Sequence, residues 1–97
     1  MRKSDIKAGG RPSSAEAKAF GRVLAEARQQ GALSQETLAF EAGYHPKYVS
    51  ILERGLSSPS LTAIMRLAAV LKVPGSELVH RVELAMAKMR KGKKSED

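Results

Sequence analysis

The twenty residues QETLAFEAGYHPKYVSILER, Gln35 to Arg54, decide the fold. Leu38, Ala39 and Ala42 recur at helical spacing after Ser34, whose hydroxyl is suited to cap the free N–H groups of a first turn. Gly43 then supplies a residue that tolerates positive φ. After Tyr44 and His45, Pro46 opens a second short helix, because its fixed φ suits the first helical position and its missing N–H would have no partner there. Two helices that meet steeply need a small residue where they nearly touch, a reversal shortly after it, and apolar residues that fix the second helix against the first. Ala39, Gly43, Val49 and Leu52 fill these roles, each position demanding a different residue type for a different reason. The window therefore predicts a helix, a tight turn and a second helix ending near Arg54, closed by Gly55.

Upstream, Phe20, Val23, Leu24 and Ala27 form one apolar stripe of a first helix. Ser13 and Glu16 stand at capping-box spacing at its start, and Gly31 is expected to end it as a left-handed cap. Downstream, Ser57, Ser58 and Pro59 read as a loop, with Ser60 capping a fourth helix that carries Leu61, Ile64, Met65, Ala68 and Leu71 inward. Met65 is read as core filler. Pro74 and Gly75 break the chain again, and from Ser76 the pattern is helical to about Arg90, longer than closing a five-helix core requires. No alternation of strand type and no internal repeat occurs, so the expected class is all-α.

Length and charge narrow the function. A chain of 97 residues holds one domain, expected over residues 13–90, between a flexible basic arm over 1–12 and a disordered basic tail over 91–97. The net charge of +7 points to a polyanionic partner, yet it is uneven: residues 1–14 and 88–97 carry +3 each, leaving +1 for the middle. Recognition by the folded part must therefore come from placed side chains rather than from a general positive field. Cysteine is absent, which removes disulfides and thiolate chemistry and fits a reducing compartment. The apolar runs are too short to span a bilayer, and the N-terminus lacks the apolar region of a secretory signal. A cytoplasmic, nucleoid-associated protein is the expectation.

The stretch LSQETLAFEAGYHPKYVSILERGLSSPSLTAIMRLAAVLKV, Leu33 to Val73, closely resembles the Cro/CI-type (XRE) helix-turn-helix regulators. Its Ser34-Gln35-Glu36 opening, Gly43, Tyr48-Val49-Ser50, Leu52-Glu53-Arg54-Gly55, Pro59-Ser60-Leu61 and Arg66-Leu67-Ala68 all sit at that family's spacing, and the resemblance extends from Phe20 to Leu78. It implies a five-helix, lambda-repressor-like domain whose helices 2 and 3 form the helix-turn-helix. It also implies a dimeric transcriptional regulator, of which repressors are one kind, that binds palindromic double-stranded operators.

By that resemblance Gln35 bonds a phosphate at the start of helix 2, where the helix dipole already favours negative charge. The base readers would be Pro46, Lys47, Ser50 and Ile51 on helix 3, in the major groove, with His45 just before them among the DNA-binding residues. Lys47 leads, since an ammonium there can donate to O6 and N7 of guanine, while Pro46 offers only apolar contact to a thymine methyl. The His45-Pro46 pair departs from the polar residues many relatives carry there. Tyr48 is expected to place its hydroxyl on a phosphate, with packing of its ring along helix 2 as the alternative. Arg54 is either a further phosphate contact or an answer to the helix dipole. Arg28 and Glu53, which look like surface charges, are expected to form the partly buried ion pair that links helices 1 and 3 in this family.

Other chemistry finds little footing. His45 has no second ligand at metal spacing, His80 lies on another helix, and a turn histidine at a helix cap is the simpler role. No catalytic constellation or phosphate-cradling loop appears, so neither enzyme activity nor a cofactor is expected. Val79, Val82, Met86 and Met89 form a narrow seam along the last helix and are expected to make a two-fold dimer contact. With no effector domain expected, regulation would follow protein concentration. The competing functions are an antitoxin of the same fold, which binds a toxin protein as well as DNA, and a pure interaction module that has lost DNA binding, against which Lys47, Gln35 and the +7 charge argue. A restriction–modification controller would be a subtype of the regulator.

Overall fold

The computed structural model describes residues 14–95 and contains five helices: α1 (Ala15–Gln30), α2 (Gln35–Ala42), α3 (Pro46–Glu53), α4 (Leu61–Leu71) and α5 (Gly75–Ser95). The basic arm over 1–12 and the cap expected at Ser13 lie outside the described residues. Ser14 caps α1, its Oγ accepting from Ala17 N at 3.0 Å. This register corrects the capping-box expectation: Ala17, not Glu16, occupies the third helical position, so no carboxylate can reach back to the cap.

The end of α1 is a second correction. Gly31 has φ −85°, and the left-handed residue is Ala32 at φ 57°. Leu33 N donates to Arg28 O at 3.1 Å and Ala32 N to Gln29 O at 3.0 Å, so the reversal falls one residue later than the glycine. The other caps follow the sequence. Ser34 and Ser60 accept from Thr37 N and Ala63 N, each at 3.0 Å, and Gly43 adopts φ 86° between α2 and α3.

The core has two adjoining parts. Phe20 and Leu24 of α1, Leu38, Ala39 and Ala42 of α2, Val49 and Leu52 of α3, and Leu67 of α4 bury one another beneath the helix-turn-helix. Val23, Ala27, Ala68 and Leu78 tie α1 and α4 to the start of α5. The expected positions of α1, α2 and α3 are all buried. In α4 the inward face differs from the expectation: Ala63 and Leu67 are fully buried with Ala68, whereas Leu61 is 74% and Met65 57% exposed. Met65 is thus not core filler; its sulfur lies over Gly75 at the start of α5. The sequence LTAIMRLAAVL is apolar on almost every face, so its period could not fix which side turns inward.

The last helix runs past Arg90 to Ser95, so residues 91–95 are helical rather than tail. Val82 packs against both parts of the core and Ala85 against the second. Val79 is 41% exposed, while Met86 and Met89 are half-buried. No helix among the described residues is long and apolar enough to cross a membrane.

Candidate nucleic-acid interface

The candidate reading element is α3, eight residues held from three directions. Beneath it, Val49 and Leu52 are fully buried. At its N-terminus the His45 side chain is the cap, Nδ1 accepting from Lys47 N at 3.0 Å, with Pro46 at the first helical turn. At its C-terminal end Glu53 is gripped by α1: Arg28 Nε donates to Oε2 at 2.6 Å and Nη2 to Oε1 at 3.0 Å. The two side chains are only 15% and 7% exposed, and Arg28 Nη1 also donates to Leu33 O at 2.9 Å. The hydrogen bond to Glu53 holds the Arg28 pKa above its ordinary value, although burial pulls the other way.

Locked in this way, α3 turns its remaining side chains outward. Lys47 is exposed, Pro46 and Ser50 are half-buried beside it, and Ile51 is half-buried. His45 is exposed while it serves as the cap, so capping leaves its ring accessible. Arg54 is exposed at the helix end, its Nε 3.4 Å from Ser50 O, where a cation answers the C-terminal carbonyls. Gln35 is drawn into the ion pair: its Nε2 donates to Glu53 Oε1 at 2.9 Å. An amide nitrogen carries two hydrogens, so one remains for a second acceptor.

Tyr48 is half-buried and packs against the turn rather than along α2. Its ring centroid is 4.8 Å from that of Tyr44, and Arg66 of α4 lies 5.6 Å over the Tyr44 ring. Burial pushes the Tyr48 pKa up, Tyr44 adds to this, and the backbone of Ser60 opposes it. The sequence singled out neither Tyr44 nor Arg66 for this cluster. Tyr44 and Tyr48 are four residues apart, but Tyr44 precedes the helix, so helical spacing could not pair them; Arg66 arrives from another element.

Comparison with known proteins agrees with this fold. The family model for the helix-turn-helix matches residues 24–78, more than half of the chain. The chain is 36% identical over 62 residues to the uncharacterized HTH-type transcriptional regulator y4dJ of Sinorhizobium fredii, covering 64% of this chain and 80% of that protein. It is 43% identical to the restriction-modification controller protein C.AhdI from Aeromonas hydrophila, with a TM-score of 0.65 over 67% of this chain and 98% of that one. The clp gene regulator ClgR from Corynebacterium glutamicum shares the fold at 22% identity, with a TM-score of 0.79 over 86% of this chain and 88% of that one. The chain belongs to the XRE-type helix-turn-helix family. It is a DNA-binding transcriptional regulator of that type.

Proposed function

We propose that the protein binds a palindromic operator as a homodimer, with α3 of each protomer in the major groove. The observation that carries this reading is the exposed Lys47 in the first turn of α3, presented by a helix fixed beneath, at its cap and at its end. Lys47 reads guanine, Ser50 and Pro46 line the same face, and Gln35 anchors a phosphate with its free N–H. Arg54 adds a phosphate contact from the helix end. Tyr48 supports the turn by packing against Tyr44. Neither enzyme activity nor a cofactor forms part of this function.

One α3 spans only a few base pairs, so operator specificity needs a second copy about one helical turn, ~34 Å, away. The face of α5 that carries Val79, Val82, Met86 and Met89 supplies the contact, and it borders an open apolar groove of about 190 Å³ lined by Phe20, Pro59, Ile64, Val79 and Val82. The similarity to a restriction–modification controller favours that subtype of regulator over an antitoxin. Selection from a random duplex pool tests the function directly: a palindromic site is expected, and Lys47→Ala with Ser50→Ala should relax discrimination at matching positions in each half. A pool that yields no preferred sequence would overturn the reading.

A further inference from the structure

We propose that Gly21 is a positioning residue for DNA recognition, setting how closely α3 seats on α1 and hence where its outward side chains stand; this rests on the reading of α3 given above. Gly21 is buried in the middle of α1, where helix preference alone favours alanine. A Cβ placed there would stand 2.6 Å from the carbonyl oxygens of both Leu52 and Glu53 and 3.0 Å from the Glu53 carbonyl carbon. These are backbone atoms, which have no rotamer in which to escape. The contrast with Gly75 is instructive: the nearest obstacle there is the Met65 sulfur at 2.8 Å, on a flexible side chain that can swing aside.

The two carbonyls belong to the last turn of α3. From the same helix, two turns beyond Gly21, Arg28 holds the Glu53 side chain, and Glu53 in turn holds Gln35. Backbone approach at Gly21 and side-chain bonds at Arg28 therefore fix one end of α3 together. The other end is fixed independently by the Gly43 turn and the His45 cap. A methyl at Gly21 pushes only the C-terminal end outward, so α3 tilts, and Ser50 and Arg54 move relative to the Gln35 anchor. The displacement needed to relieve a 2.6 Å contact is several tenths of an ångström, comparable to the ~0.5 Å within which a recognition constellation must be held.

The test compares wild type, Gly21→Ala and Val23→Ala, using the duplex selected from a random pool and an unrelated duplex of equal length. Val23 is buried on the same helix but packs toward Ala68 and Leu78, so its truncation destabilises the domain without touching α3. The readout is the ratio of selected-site to unrelated-site affinity, measured at a temperature where each variant retains wild-type helicity. Gly21→Ala is expected to lower that ratio roughly tenfold, the worth of about one base contact, with unrelated-site affinity unchanged. Val23→Ala should leave the ratio alone.

An unchanged ratio in folded Gly21→Ala overturns the proposal, and so does an equal fall in Val23→Ala. If Gly21→Ala lacks helicity, the comparison is repeated in sucrose, which favours compact states. Failure to recover helicity there also overturns the proposal, since Gly21 would then govern folding alone. A wild-type protein that selects no site defeats the function itself, an outcome distinct from loss of the Gly21 effect.

Discussion

Arg28 Nε lies 2.6 Å from Glu53 Oε2, joining two helices through side chains that are 15% and 7% exposed. The same carboxylate takes the Gln35 amide on its other oxygen, so three helices meet on one side chain of α3. The ion pair therefore does two things: it neutralises a charge that partial burial would otherwise strand, and it orients Gln35, the proposed anchor, at the start of α2.

Glu53→Gln keeps the shape and removes the charge. Arg28 then remains partly buried with only the Leu33 carbonyl among its present partners that are unaltered, and the expected loss is about 2 kcal/mol of unfolding free energy. Urea denaturation of the two proteins checks this. An unchanged midpoint would show that the pair contributes nothing to stability.

His45 separates capping from charge. Replacing it by Ala removes the acceptor for Lys47 N and should cost about 1 kcal/mol. Replacing it by Asp should restore the cap and favour the helix dipole, yet place a negative charge beside the phosphates. Thermal melting should show His45→Asp to be at least as stable as His45→Ala, while its DNA affinity is the lower of the two.

At Ala32 the chain holds a left-handed conformation, φ 57°, that costs a residue with a Cβ about 1 kcal/mol. Ala32→Gly should therefore raise stability by up to about that amount, even though glycine ordinarily loses more entropy on folding. A decrease in melting temperature would show that the side chain at this position contributes more than the backbone strain costs.

Tyr48 gives a pH signature. Burial raises its folded-state pKa above the ordinary value of 10.0, so the unfolded chain loses this proton first. The contribution is fully present below that ordinary value and is lost as pH rises through the raised one. The stability difference between wild type and Tyr48→Phe, followed by denaturation from neutral pH upward, should stay flat and then shift against wild type in that alkaline window. A flat difference throughout would contradict the burial argument.

The proposed dimerisation through α5 can be tested by a surface substitution. Val79 is 41% exposed, so Val79→Glu should leave the fold intact while placing a charge in the apolar face. Sedimentation should find wild type as a dimer and Val79→Glu as a monomer. A wild type that remains monomeric at high concentration would remove the dimer from the proposal.

The helix-turn-helix was legible from sequence because its determinants are local. Ser34, Gly43, Pro46 and Ser60 act on the backbone within a few residues of themselves, through caps, a positive φ and a fixed φ, and each does in the structure what its chemistry dictates. The Arg28–Glu53 pair was legible only through family resemblance, since residues 25 apart carry no local sign of contact. Tertiary structure alone decided the rest. In α4 it chose Ala63 and Leu67 over Leu61 and Met65, because an apolar helix has no face until its neighbours define one. It moved the left-handed residue from Gly31 to Ala32, because the chain must enter α2 at an angle set by packing rather than by the nearest glycine. It also brought Gly21 against the carbonyls of α3, where the absence of a side chain has meaning only once another helix fills the space.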